Sequence, residues 1–218
     1  MSVSNNKKIG IVDYGVGNLY SLRKALREFI DDVIIVENAE EINRLDALIL
    51  PGVGSFEAGM EGIKARGLER KIKKFAENGK PVLGICLGAQ LLLSKGYEFG
   101  EFRGLDIISG KVVKFPELKK GTKIPHIGWN KVMLSRNIKS KDDVLNSIGK
   151  NAHVYFVHSY ILEPTDKNAI LATTIYGGHE FCSVIQKGNI YGFQFHPEKS
   201  GQVGLGIIKN FINLVKAL

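Results

Sequence analysis

Cys86 closes one apolar run, PVLGI at residues 81–85, and opens another, LGAQLLLS at 87–94; far downstream the chain supplies His196-Pro197-Glu198. The first run is too short and β-branched for a helix and the second suits one, so Cys86 falls at a strand-to-helix turn that exposes its side chain. Gly84 and Gly88 flank it, which lets the backbone bend sharply and a substrate approach closely. A helix starting just after Cys86 also turns free N–H groups toward the sulfur, favouring thiolate over thiol. A thiolate that attacks a carbonyl needs a group to protonate the leaving group, and His196 suits that role near neutral pH. On an extended segment, residues i and i+2 project to one side, so Glu198 reaches the imidazole and orients it while Pro197 stiffens the segment. The tetrahedral intermediate needs two donors. The Leu87 N–H supplies one, and the glycines around Val53 in Pro51-Gly52-Val53-Gly54 let that peptide turn its N–H inward as the second. A loop that flips one peptide would gate such a site.

Other residues of the same types read differently. Cys182 lies in the strand-like FCSVI without a glycine frame and reads as a small buried hydrophobe. His126, His153, His158 and His179 read as structural. A metal site from His158, His196 and Glu198 lacks zinc-ligand spacing, and the cysteine chemistry needs no metal. Gly15-Val16-Gly17 lacks the third glycine of a dinucleotide fingerprint, which argues against a nicotinamide cofactor.

The elements that must position these groups alternate. Residues 8–12 read as a strand, 13–18 as a turn, and Leu19, Leu22, Leu26 and Phe29 mark one face of a helix. Residues 33–36 and 47–50 are further apolar strands, and helical patterning runs over 57–77, which predicts a parallel sheet. Beyond residue 94 the pattern turns strand-rich, over 105–115, 127–134, 154–162, 169–176 and 180–195, with a hairpin at Lys187-Gly188-Asn189. Ile207, Ile208, Phe211, Ile212 and Val215 mark a closing amphipathic helix. The whole reads as one α/β sandwich, residues 1–218 forming a single domain.

The N-terminal MSVSNNKKIGIV lacks the apolar stretch of a signal peptide and no run reaches the length of a membrane span, so a cytoplasmic location with no membrane contact is expected. Two cysteines in unlike settings make no disulfide framework. The net charge of +8 admits an anionic partner. Its basic residues at 64, 66, 70, 71, 73 and 74 form a solvated helix face, however, and no recognition-helix or zinc-finger motif points to nucleic acid. An acidic protein partner fits the charge equally well.

GICLGAQLL, the downstream HPE and PGVGSF together resemble the class I glutamine amidotransferases over nearly the whole chain. DYGVGN, PHIGWN at 125–130, YFVHSY at 155–160 and FHPEKS at 195–200 narrow the resemblance to the glutaminase subunits of imidazole glycerol phosphate synthases. The resemblance implies a three-layer sandwich around a mixed, mostly parallel sheet with an added antiparallel strand region. It implies a Cys86-His196-Glu198 triad, Val53 and Leu87 N–H groups as oxyanion hole, and no cofactor. It further implies that Gly54, Gln90, Glu98, Ser159 and Tyr160 hold L-glutamine, Glu98 suiting the α-ammonium by charge. Taken alone, Gln90 and Glu98 read as exposed helix-end residues and Tyr160 as strand packing. Asn18, Trp129, Tyr155 and Lys199 match positions that in the family face a synthase subunit of (β/α)₈-barrel type, which receives the ammonia for histidine biosynthesis; a lone tryptophan suits an interface anchor.

Ala89, where many relatives carry methionine, and Ser94-Lys95-Gly96-Tyr97, in place of a more acidic stretch, depart from the family pattern. They leave the triad intact and the identity of the partner open, because paralogous subunits feed a barrel-type partner in surface-polysaccharide sugar synthesis. PHIGWN speaks against a glutaminase of vitamin B6 synthesis. A non-catalytic α/β binding module would be expected to have lost a triad member, and none is lost.

Overall fold

The computed structural model describes residues 7–135, 144–146, 149 and 151–218; the first six residues of the N-terminal stretch read above lie outside these. The first half contains β1 (Ile9–Val12), α1 (Leu19–Arg27), β2 (Val33–Val36), β3 (Ala47–Leu50), α2 (Phe56–Ala65), α3 (Glu69–Glu77), β4 (Val82–Ile85) and the short α4 (Leu87–Leu91). The second contains β5 (Leu93–Gly96), β6 (Phe102–Arg103), β7 (Ile108–Lys114), β8 (His126–Lys131), β9 (Met133–Leu134), β10 (His153–His158), β11 (Tyr160–Pro164), β12 (Ile170–Tyr176), β13 (His179–Lys187), β14 (Ile190–Phe193) and the closing α5 (Gly201–Ala217).

Strands β2, β1, β3, β4 and β14 pair in parallel in that order. From β14 the sheet continues through antiparallel β13, β11 and β7, then β5 and β6, with β12 and β9 joined beside β13. Period-two alternation separates the two faces. Ile9, Ile11, Ala47, Ile49, Leu83 and Ile85 face a core that includes α1 and α5. Val12, Leu48, Leu50 and Val82 face a second core with α2, α3 and α4. That is the expected three-layer arrangement.

Two helical readings need correction. The pattern over 57–77 is two helices, because Gly67 at φ +64 ends the first and the Leu68 N–H returns to the Ile63 carbonyl at 3.0 Å. The helix expected over 87–94 stops at Leu91, since the carbonyls of Leu91, Leu92 and Leu93 accept from the N–H groups of residues 105–108 and draw the chain into the sheet. The strand expected over 154–162 is likewise split. β10 pairs with β8 as a separate antiparallel ribbon, while β11 joins the main sheet.

Candidate active site

Cys86 lies between β4 and α4 at φ 52 and ψ −106, a left-handed turn that its flanking glycines permit. A Cβ at Gly84 would lie 2.6 Å from the Ala89 nitrogen, and one at Gly88 would lie 1.8 Å from the Leu50 carbonyl oxygen. No side chain fits either position. Strand β14 delivers the partner groups, for it runs beside β4 and its chain continues directly through Gln194 and Phe195 to His196. The His196 N–H donates to the Tyr155 carbonyl on β10 at 2.9 Å, and the Ser200 hydroxyl, on the His196 carbonyl at 2.6 Å, pins the following turn.

His196 Nδ1 and Glu198 Oε1 are 2.8 Å apart, both side chains nearly buried. Glu198 thus takes Nδ1 and leaves the buried Nε2 as the nitrogen available to the sulfur. Burial alone would lower the His196 pKa, but hydrogen bonding and charge from Cys86 and Glu198 outweigh it and raise it to about 10. The imidazole therefore favours its protonated form beside the sulfur, which suits proton delivery to a leaving group.

A pocket of about 210 Å³ opens at Cys86, lined by Val53, Gly54, Leu87, Gln90, Glu98, Pro125, Val157, His158, Ser159 and Tyr160. All the residues expected to hold a substrate are there. Gln90 is buried rather than helix-end exposed, because α4 runs inside the molecule; its amide donates to the Tyr160 carbonyl at 3.3 Å and to Gln194 Oε1 at 3.2 Å. Glu98 is half-buried, and one of its oxygens accepts the first N–H of α2, from Phe56, at 2.8 Å. The Tyr160 phenol is pushed up by burial and by the Glu98 carboxylate, which sets that charge beside the pocket. Larger hollows line the basic face of α3, and neither is lined by a cysteine, serine or histidine.

The loop Pro51-Gly52-Val53-Gly54 turns its Gly52 carbonyl toward the start of α4. The Leu87 N–H donates to the Gly52 carbonyl at 3.4 Å, so the donor expected to face an oxyanion is occupied. A trans peptide sets C=O and N–H on opposite sides, so the Val53 N–H points away from Leu87. Val53 itself is half exposed.

Two polar side chains escaped the sequence reading. Gln194, fully buried, sets its amide nitrogen 3.8 Å from the Cys86 sulfur; the only signal was a polar residue inside the apolar run YGFQF. The buried Tyr14 hydroxyl donates to the Pro51 carbonyl and so holds one end of the loop at 51–54, a contact the turn expected over 13–18 did not predict. The residues expected to face a partner form a surface group in part. Trp129 and Tyr155 are cross-strand partners with rings 6.3 Å apart, Lys199 Nζ lies 6.0 Å from the Tyr155 ring centre, and the exposed Asn18 caps α1 by accepting the Ser21 N–H. Among the described residues no group of three or more His, Cys, Asp or Glu is arranged to hold a metal ion, and no helix is long and apolar enough to cross a membrane.

The sequence matches the family model of class I glutamine amidotransferases over residues 10–214, and the chain belongs to that family. The imidazole glycerol phosphate synthase subunit HisH of Legionella pneumophila is 48% identical over 210 residues, 94% of this chain and 99% of that one. The subunit of the same name from Methanocaldococcus jannaschii is 45% identical, covering 95% of this chain and all of the other. Among solved structures, a PurLQS structure from Thermotoga maritima superposes with a TM-score of 0.72 at 20% identity, covering 95% of this chain and 98% of that one, a likeness of fold.

Proposed function

We propose that this chain is the glutaminase subunit of an imidazole glycerol phosphate synthase and hydrolyses L-glutamine through Cys86, His196 and Glu198. The observation that carries the reading is the 2.8 Å contact of His196 Nδ1 with Glu198 behind a cysteine held in a left-handed turn at the mouth of a pocket. The sulfur attacks the carboxamide carbon of glutamine, and the negative oxygen of the adduct takes the N–H groups of Leu87 and, once the loop turns, Val53. His196 gives its proton to the departing nitrogen, ammonia leaves, and a γ-glutamyl thioester remains on Cys86. Water, deprotonated by His196, then releases glutamate and restores the thiol. Glu98 holds the α-ammonium, while Gly54, Gln90, Ser159 and Tyr160 complete the pocket.

The ammonia acceptor in this reading is a (β/α)₈-barrel synthase subunit docked on Asn18, Trp129, Tyr155 and Lys199 in a heterodimer. Support comes from the names of relatives nearly half identical over their whole length and from the exposure of Trp129. The test is glutamine hydrolysis by the purified chain alone and with a histidine-pathway barrel subunit and its ribonucleotide ligand, with Cys86→Ala as blank. Strong activation that vanishes in the variant is expected. A stable, glutamine-reactive chain that the barrel fails to activate would point instead to a partner of surface-polysaccharide synthesis.

A further inference from the structure

The ribbon of β8 and β10 has two unlike faces. Outward it carries Ile127 and Trp129, both more than half exposed; inward it carries His126, Asn130, Phe156 and His158. His126 and His158 are cross-strand partners, both buried, with His126 Nδ1 3.1 Å from His158 Nε2. Aromatic rings surround them, Tyr176 stacking on His126 at 3.9 Å between ring centres and Phe115 tilted against His158 at 5.2 Å.

Hydrogen-bond accounting fixes every proton in this group. The Asn130 amide nitrogen donates to the Ile175 carbonyl at 2.9 Å, and its oxygen accepts the Lys131 N–H at 2.7 Å, so the amide has one orientation. The same nitrogen lies 3.3 Å from His126 Nε2, which must therefore accept. A neutral His126 then carries its proton on Nδ1 and donates it to His158 Nε2. His158 in turn carries its proton on Nδ1, which is 2.8 Å from the Tyr160 carbonyl and donates to it. Burial disfavours the charged form of both rings, in keeping with two neutral imidazoles.

The end of this series lies in the substrate pocket. The Tyr160 carbonyl also receives the Gln90 amide, Gln90 bonds Gln194, and His158 lines the pocket itself. We propose that Asn130, His126 and His158 are positioning residues: a one-way hydrogen-bond series from the inner face of the β8–β10 ribbon that fixes the Tyr160 carbonyl and Gln90 in the geometry that accepts glutamine. The inference rests on the reading of this pocket as a glutamine site. It gives both histidines a task that ring stacking alone would not require, since phenylalanine would stack as well.

Two measurements test it. Long-range ¹⁵N–¹H NMR of the unliganded chain reads the tautomer of each ring, and both are expected in the Nδ1–H form, the one water disfavours. An Nε2–H signal from either ring overturns the series without reference to any variant. The second measurement compares alkylation of Cys86 by a diazoketone analogue of glutamine, which must enter the pocket, with alkylation by iodoacetamide, which need not. His126→Phe keeps the stack and removes the donor, and it should slow the analogue about tenfold, the worth of one hydrogen bond, while the iodoacetamide rate holds. His126→Asn, whose amide reaches the Nδ1 position, should restore much of the loss. Equal slowing of both reagents, or none, overturns the proposal. If unsubstituted chain reacts with iodoacetamide but neither reacts with the analogue nor is protected by glutamine, the glutamine reading fails and the inference falls with it.

Discussion

The Leu87 amide donates to the Gly52 carbonyl, N to O 3.4 Å. That contact occupies the N–H proposed as an oxyanion donor, and rotating the Gly52–Val53 peptide would release it. Val53 is half exposed and Gly54 has the backbone freedom of glycine at φ +150. The upstream end is fixed, because the Tyr14 hydroxyl holds the Pro51 carbonyl. In the proposed mechanism the rotation therefore falls on the Gly52–Val53 peptide. Val53→Pro removes the N–H that the rotation would bring in, and glutaminase kcat should fall about 10²- to 10³-fold, the cost of one oxyanion donor. Val53→Ala should be near neutral, and thermal melts of both variants should match the parent.

In the proposed triad Glu198 acts through His196, 2.8 Å from its Nδ1. In Glu198→Gln the buried imidazole keeps its neighbour's shape but loses the charge that supports its protonated form, so its pKa should move down from about 10. NMR titration of the His196 ring checks the direction. Loss of the orienting carboxylate should lower kcat by up to ~10⁴, as for other triads, with little change in KM. Cys86→Ala should also lower the ring's pKa, since the sulfur is the other group that raises it.

The turn at Cys86 and the His196–Glu198 contact were legible because each rests on a local pattern: a strand-turn-helix around one thiol, and an i, i+2 pair around a proline. The parallel half of the sheet was legible for a similar reason, through short apolar runs between amphipathic helices. What stayed hidden depends on long-range pairing. Nothing local says that α4 must end at Leu91; the N–H groups of residues 105–108 end it from across the fold. Nor does the run over 154–162 announce that one part pairs with β8 and the other with β7. Gln90 looked exposed because its burial comes from β11 and β14, and Gln194 became visible as a site residue only once β14 lay beside β4.

Glu98 supplies charge to the pocket and a cap to α2, and the two roles are separable. Glu98→Gln retains an oxygen for the Phe56 N–H, so stability should hold while the attraction for an α-ammonium is lost. KM for glutamine should rise about tenfold or more, as expected for loss of a charge-assisted contact, with kcat nearly unchanged. Steady-state kinetics with glutamine separate the two parameters; an unchanged KM would remove Glu98 from the substrate site.

Buried neutral histidines make stability depend on acid. Burial, the leading cause for both, holds His126 at about 4 and His158 at about 3, with the Tyr160 carbonyl opposing the shift in His158 and the charges of His126 and His196 adding to it. The unfolded chain takes up protons on both rings near 6.5, whereas the folded chain refuses them until the pH is far lower. Their contribution is therefore fully present above pH 6.5 and is lost as the pH falls from 6.5 toward 4. Urea midpoints should decline across that window. In His126→Phe the decline should be shallower, because the unfolded chain then binds one proton fewer, and a slope identical to the parent would show that His126 titrates normally in the fold.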